Sequence, residues 1–107
     1  MTTLEIKTIE IVDEAAPMPL AELLDCTHIE RTYLVEMVEA GVVTPIGASI
    51  EQWTFVRGDL RRVRIAQRLI ADLEVNIAGA ALVLDLLDER EALHRRVRVA
   101  KIFSDDF

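Results

Sequence analysis

Cys26 and His28 are the two neighbouring side chains whose types and spacing could begin a metal site. They lie two residues apart, and the other histidine, His94, is far along the chain. A structural zinc ion takes four protein ligands, so this pair is too small to hold one. We therefore expect no metal and no cofactor. We expect Cys26 to behave as a small buried apolar side chain.

Carboxylates are abundant, with 19 Asp and Glu residues, but they do not form a catalytic pattern. The sequence has no serine–histidine–acid grouping, no glycine loop of the kind that cradles phosphate, and no HExxH motif. A chain of 107 residues has room for one compact domain with a modest core. These features predict a binding protein and not an enzyme.

The sequence also bears on the cellular compartment. It has one cysteine and no apolar run near the roughly 20 residues that span a membrane. Its first residues lack the basic and apolar segments of a signal peptide. We therefore expect a cytoplasmic protein without a membrane partner.

The negative charge is concentrated in the first half of the chain. Residues 1–55 carry 10 acidic and 2 basic side chains, a net charge of −8. Residues 56–107 carry 9 acidic and 10 basic side chains, a net charge of +1. Because carboxylates repel phosphates, the first half is suited to a basic protein surface and poorly suited to nucleic acid.

One short segment of that half combines three glutamates with a single basic residue. Glu30, Glu36 and Glu39 stand within ten residues of each other, and Arg31 is the only cation among them. A charge run of this kind is usually the solvated face of a helix, but it can also be an interaction surface. The residues alone leave both interpretations open.

The basic side chains form a stripe further along. Arg57, Arg61, Arg64 and Arg68 are spaced by four, three and four residues, which places them on one side of a helix. The stripe could contact DNA or an acidic patch on a partner. We favour the alternative, a solvated face paired with nearby carboxylates such as Asp72.

The apolar spacing predicts a mainly helical chain. Residues 4–12 alternate imperfectly and indicate a strand or an extended arm, after which Pro17 and Pro19 break the chain. Two short helices around a tight turn predict a helix-turn-helix whose second helix ends at Gly41. The predicted helices cover residues 20–26, 30–40, 57–73 and 77–101.

The segment between the second and third helices predicts a hairpin, or wing. Residues 42–45 and 53–55 are prone to form strands around a loop, and Trp53 is expected to pack on the helix-turn-helix core. Asn76 is the expected cap of the final helix. The expected inner face of the third helix consists of Leu60, Val63, Ile70 and Leu73.

The final helix carries an apolar stripe of Leu82, Leu86, Leu93 and Val97 at spacings of four and seven residues. A second copy of the same helix is the simplest partner for this stripe, so we expect a homodimer. The alternative is that the stripe covers the third helix of its own chain.

The order of helix, turn, helix, wing, helix and long helix resembles that of MerR-type regulators. The segment EAGVVTP at residues 39–45 is similar to the E-x-G-L-L-x-P motif of that family. The segments at 53–55, 61–73 and 75–87 look more specifically like the CbpM family of chaperone modulators. The resemblance implies a mainly α fold, a MerR-like winged helix-turn-helix with a long C-terminal helix. Its expected parts are an N-terminal strand or arm (1–17), the winged helix-turn-helix (18–74), and the C-terminal helix, for dimerisation, with a short tail (75–107).

The sequence departs from DNA-binding members of that family at the recognition helix. By this register, the positions of their arginine and tyrosine cluster hold Val35, Glu36 and Met37, and the wing at 43–55 contains no Lys or Arg. A carboxylate close to a phosphate costs on the order of 1 kcal/mol even in high dielectric. We therefore expect no direct DNA binding through this helix.

The resemblance implies a protein partner instead. CbpM-type proteins bind the J-domain of the co-chaperone CbpA, inhibit its stimulation of DnaK and weaken its DNA binding. J-domains present a basic helix, which an acidic surface would complement. We assign the contact to the second helix, at residues Glu30, Arg31, Tyr33, Val35, Glu36 and Glu39.

Two other functions remain open at the level of sequence. A MerR-like transcriptional regulator would bind duplex DNA in a salt-dependent way, and charge reversal at Arg61 or Arg64 would abolish that binding. An interaction module for some other basic protein would bind neither a J-domain nor DNA.

Overall fold

The computed structural model describes residues 13–105, so the strand predicted at 4–12 lies outside the described residues. The chain is mainly helical, as predicted, and it has the MerR-like winged helix-turn-helix architecture with a long C-terminal helix. In chain order, its elements are β1 (Pro17–Pro19), α1 (Leu20–Thr27), α2 (Arg31–Ala40), a 3-10 turn (Ile50–Gln52), β2 (Thr54–Val56), α3 (Arg57–Leu73) and α4 (Ile77–Asp105).

Both helices of the helix-turn-helix end at residues with a left-handed backbone. His28 follows α1 with φ 57°, and its N–H donates to the Leu24 carbonyl at 2.9 Å. Gly41 follows α2 with φ 89°, as its position in the sequence predicts, because glycine adopts this conformation without steric cost. The reversal after α2 then closes with a hydrogen bond of 2.9 Å from the Val42 N–H to the Met37 carbonyl.

The predicted hairpin is wrong in its partner strand. β2 pairs antiparallel with β1, and Met18 stands opposite Phe55, while residues 42–45 form no strand. The wing loop is closed by one bridge, in which Ile46 and Thr54 exchange backbone hydrogen bonds of 2.8 and 2.9 Å. The alternation that forms β1 spans three residues, too few for a periodic pattern to reveal.

Pro17 and Pro19, which the sequence predicted as breakers, therefore lie in a strand. The Arg57 N–H donates to the Ala16 carbonyl at 3.0 Å. The backbone groups of the alternate residues Ala16 and Met18 therefore point towards β2. The prolines occupy the intervening positions, where a backbone N–H would point away from β2. Proline is tolerated on such an edge because no ladder hydrogen bond is lost.

One core joins the small sheet to all four helices. It contains Met18 and Phe55 from the strands, and its helical members include Leu23, Leu34, Met37, Val63, Ala66, Ala80, Ala81 and Leu84. Trp53 is partly buried against it and meets Phe55 edge to face, with ring centroids 6.2 Å apart. Packing of this kind supports the predicted place of the tryptophan.

The prediction that Leu73 belongs to the inner face of α3 is wrong. Val63 is fully buried, and Leu60 and Ile70 pack partly against the core, but Leu73 is 63% exposed. The chain reverses at Glu74, whose φ is 55°, immediately after this residue. The last turn of α3 therefore extends beyond the core, which periodicity within the helix could not reveal.

The C-terminal helix runs past the body of the protein. Asn76 caps its start, since its side-chain oxygen accepts from the Gly79 N–H at 2.7 Å. Leu84 is its last buried residue, and from Asp85 to Phe103 every side chain except that of Ala92 is exposed. We call residues 85–105 the arm. The radius of gyration is 17.1 Å, compared with about 13 Å for a compact domain of this length.

Candidate functional site

The outward side of α2 is the best candidate for a binding surface. Thr32, Val35, Glu36 and Glu39 fall within an arc of about 100° on the helix, because successive residues are rotated by roughly 100°. Thr32 and both glutamates are exposed, and Val35 is half-buried. We call these four residues the acidic face.

The carboxylates at the start of α2 and along it form no salt bridge in the part of the chain that the structure describes. This holds for Glu30, Glu36 and Glu39, and Arg31 forms no salt bridge there either. From α1 to the end of β2, residues 20–56 carry six acidic and one basic side chains, a net charge of −5. The negative field of this side of the molecule is therefore available to a partner.

Glu39 also lies where a carboxylate is unfavourable for the helix. It belongs to the last turn of α2, whose carbonyl groups carry the negative end of the helix dipole, and no basic residue occupies that turn. An acidic side chain there costs about 0.3–1 kcal/mol relative to a basic one. The placement of Glu39 therefore does not serve the stability of α2.

The structure separates the six residues assigned to partner binding into three groups. Val35, Glu36 and Glu39 lie together on the acidic face. Glu30 and Arg31 are exposed at the start of the helix, where the Glu30 carbonyl accepts from the first turn. Tyr33 is half-buried and packs against the core, about 160° around the helix from Val35. Thr32, which charge and hydropathy did not single out, belongs to the face.

Three of the four arginines in the basic stripe on α3 make contacts within the chain. Arg57 pairs with Glu22 at 3.1 Å, and Arg61 approaches Glu14 at 3.9 Å. Arg64 donates to the Cys26 carbonyl at 3.4 Å. The favoured interpretation, pairing with nearby carboxylates, thus finds its partners on α1 and before β1. Asp72 is not among these partners, and Arg68 is exposed.

Cys26 is partly buried and packs against the core at the end of α1. Within residues 13–105, no three His, Cys, Asp or Glu side chains form a group that could hold a metal ion. A cleft of about 740 Å³ lies between the start of α3 and the arm, and its lining mixes arginines and carboxylates with Ile65, Leu84 and Leu87. The lining of the cleft therefore offers both charged and apolar contacts to another molecule.

The apolar stripe on α4 faces away from its own body. Leu82, Leu86, Leu93 and Val97 are each 54–60% exposed and lie within an arc of about 60°. Among the residues of α4 that pack on the body, Ala80 and Leu84 are on the opposite side of the helix, and Ala81 lies about 100° around the helix from Leu82. The stripe therefore does not cover α3.

In the described part of the chain, no helix is both long and apolar enough to cross a membrane.

Comparison with known proteins identifies a family that the chain matches. The family described as MerR HTH family regulatory protein matches residues 18–101. This range begins at Met18 in β1 and ends within the arm, so it includes the winged helix-turn-helix and most of α4.

Individual relatives carry a more specific name. A protein of Coxiella burnetii (strain Dugway 5J108-111) named chaperone modulatory protein CbpM is 38% identical over 105 residues, covering 98% of each chain. A protein of the same name from Pseudomonas putida (strain W619) is 40% identical over 65 residues, 61% of this chain and 64% of the relative. One from Pseudomonas entomophila (strain L48) is 34% identical over 65 residues, with the same coverage.

Proposed function

Because the chain belongs to the CbpM family of chaperone modulators, within the MerR helix-turn-helix proteins, we propose that it binds the J-domain of a CbpA-type co-chaperone. Binding would inhibit the stimulation of DnaK by that J-domain and weaken the DNA binding of the co-chaperone. The protein would act as a stoichiometric inhibitor, and the contact itself would need no cofactor.

The observation that carries this proposal is the acidic face of α2. In a helix-turn-helix, this helix is the one that enters the DNA groove. Here its outward side presents Glu36 and Glu39, which are exposed and form no salt bridge among the described residues. Carboxylates oppose phosphate contact and favour a cationic protein surface, such as the basic helix of a J-domain.

Steric occlusion is the mechanism that this surface supports. A basic helix covered by α2 could not reach DnaK at the same time. The charges would mainly raise the association rate and orient the two proteins. Apolar contact with Val35, which is half-buried on the face, would then contribute to the lifetime of the complex.

The experiment is a titration of a purified CbpA-type J-domain with this protein, followed by a DnaK ATPase assay. We expect saturable binding and a loss of J-domain-stimulated ATPase activity at about one protein per J-domain. A dissociation constant weaker than millimolar would reject the proposal. Tight, sequence-selective binding to duplex DNA at physiological ionic strength would favour the transcriptional regulator instead.

We also propose that the protein is a homodimer formed through the arm. The apolar stripe supports this proposal because it is long, exposed and turned away from its own body. Facing copies of such a stripe bury each other in a coiled coil. The antiparallel coiled coil of MerR relatives is the arrangement we expect.

Two neighbouring leucines provide a matched test of the dimer. Leu86 lies in the apolar stripe and is 54% exposed, whereas Leu87 lines the cleft and is 42% exposed. We expect Leu86→Gln to raise the dimer dissociation constant at least tenfold in sedimentation equilibrium, and Leu87→Gln to leave it nearly unchanged. Equal effects of the two substitutions, or a monomeric native protein at high micromolar concentration, would reject the dimer.

A further inference from the structure

Arg62 links three parts of the fold at one point. From α3, its Nε donates to the Val42 carbonyl at 2.6 Å, and its two terminal nitrogens contact Asp85 at 3.3 Å and Asp88. The side chain is 24% exposed, compared with 75% for Arg61 one residue earlier. No other arginine in the described part of the chain contacts two carboxylates.

The link lies at the base of the arm. Asp85 is the first residue after Leu84, the last buried residue of α4, and Asp88 follows one turn later. On the other side, Val42 directly follows the cap of α2, and its N–H bonds to the Met37 carbonyl inside that helix. A continuous hydrogen-bonded path therefore runs from the end of α2 through Arg62 to the arm.

We propose that Arg62 is a positioning residue that fixes the direction in which the arm leaves the body. Beyond Leu84, every side chain among residues 85–103 except that of Ala92 is exposed, so packing against the body restrains the arm weakly. The arm acts as a lever: 21 residues at 1.5 Å each span about 30 Å. A rotation of about 10° at its base would therefore move its tip by about 5 Å.

The chemistry of the link requires arginine. The planar guanidinium presents five N–H groups in a fixed fork, which allows it to donate to a carbonyl and to two carboxylates at once. A lysine ammonium is a point charge on a flexible stem and does not hold this geometry. Removal of the side chain would also leave the carbonyl of Val42, a fully buried residue, without this donor.

The direction of the arm can be measured within one chain. Spin labels on cysteines introduced at Thr32 and Lys101, both exposed, report the distance between α2 and the outer part of the arm. The natural Cys26 is first replaced by serine, and labelled protein is diluted into excess unlabelled protein, so that only distances within one chain contribute. Circular dichroism at the measuring temperature establishes that each variant is folded.

We expect Arg62→Met to shift the mean distance by several Å or to broaden its distribution clearly. Asp85→Asn with Asp88→Asn should do the same, and Arg62→Lys should restore the distribution only in part. Arg57→Met is the matched control, because Arg57 lies on the same helix and forms one salt bridge whose side chains are about 40% exposed. It should leave the distribution unchanged.

The outcomes decide the proposal without depending on the proposed function. An unchanged distribution in Arg62→Met, or an equal change in Arg57→Met, would overturn it. If Arg62→Met does not fold, the double asparagine variant decides, since both aspartates are exposed. No J-domain is present in this measurement, so a failure of J-domain binding leaves its result intact. If two arms pair in a dimer, Arg62 also sets the distance between the acidic faces of the two protomers.

Discussion

Reversal of charge on the acidic face is the sharpest test of the binding surface. The perturbation is Glu36→Lys together with Glu39→Lys, which replaces two exposed carboxylates that form no salt bridge among the described residues. We expect this variant to bind a CbpA-type J-domain more weakly and chiefly more slowly than the unaltered protein.

The exposure of both side chains sets the size of the expected loss of binding free energy. An exposed ion pair contributes about 0.2–1 kcal/mol. Reversal removes that attraction and adds a repulsion of similar size, so the two sites together cost about 2 kcal/mol, or roughly 30-fold in dissociation constant. Most of this change should appear in the association rate, and it should shrink as added salt screens the charges.

The stability of the folded protein should not fall. Glu39 belongs to the last turn of α2, where a lysine is favourable and a carboxylate unfavourable. Its reversal should therefore stabilise the helix by a few tenths to about 1 kcal/mol. A variant that melts at the same or a higher temperature and yet binds more weakly cannot owe its loss of binding to unfolding.

The assay is stopped-flow association with the J-domain at low and high salt, with thermal melts in parallel. Asp72→Lys with Glu74→Lys is the matched control, because it changes the net charge from −7 to −3 in the same way but at the end of α3 and the residue that follows it. Equal slowing of association by both variants would mean that net charge matters and the acidic face does not. An unchanged association rate in the α2 variant would show that the acidic face does not contact the J-domain.

Four further substitutions test the fold that carries these surfaces, each by urea unfolding. Gly41→Ala should cost about 1–2 kcal/mol from its left-handed backbone alone, since an added Cβ meets no atom within 4 Å; Gly47→Ala should cost more, because its Cβ would lie 2.6 Å from the Gln52 carbonyl oxygen. The reverse order would contradict this. Asn76→Ala should cost about 1 kcal/mol through loss of the cap on α4, and no change would reject that cap. Met18→Ala should cost about 2–5 kcal/mol, whereas a cost below 1 kcal/mol would detach β1 from the core.

The parts of the fold that the sequence predicted well are those with local signals. The bounds of α3, predicted at 57–73, are those observed, and Gly41 ends α2 as expected. Asn76 caps α4 as expected, because a cap depends only on neighbouring residues. Helical periodicity, glycine and capping side chains each act within a few residues, so one sequence suffices to recognise them.

The parts that were missed depend on residues distant in the chain. β1 exists because Met18 stands opposite Phe55, and the exposure of Leu73 depends on where the core ends. The contacts of Arg62 reach back 20 residues to Val42 and forward 23 residues to Asp85. Within its own helix, Arg62 adjoins the regularly spaced arginines, and nothing local distinguishes it from them.

Under the proposed function, the acidic face would give a helix-turn-helix a protein partner without a change of fold. Leu34 and Met37 hold α2 against the core from one side, and these contacts do not depend on the side chains opposite them. Carboxylates can therefore occupy the outer side of α2 with little effect on the fold, and the charge of Glu39 in the last turn costs only about 0.3–1 kcal/mol in helix stability. On α3, Arg57 and Arg61 pair with carboxylates of the same chain, and Arg64 donates to one of its carbonyl groups. Under the proposed function, the acidic outer side of α2 would bind a basic protein on a scaffold whose packing is unchanged.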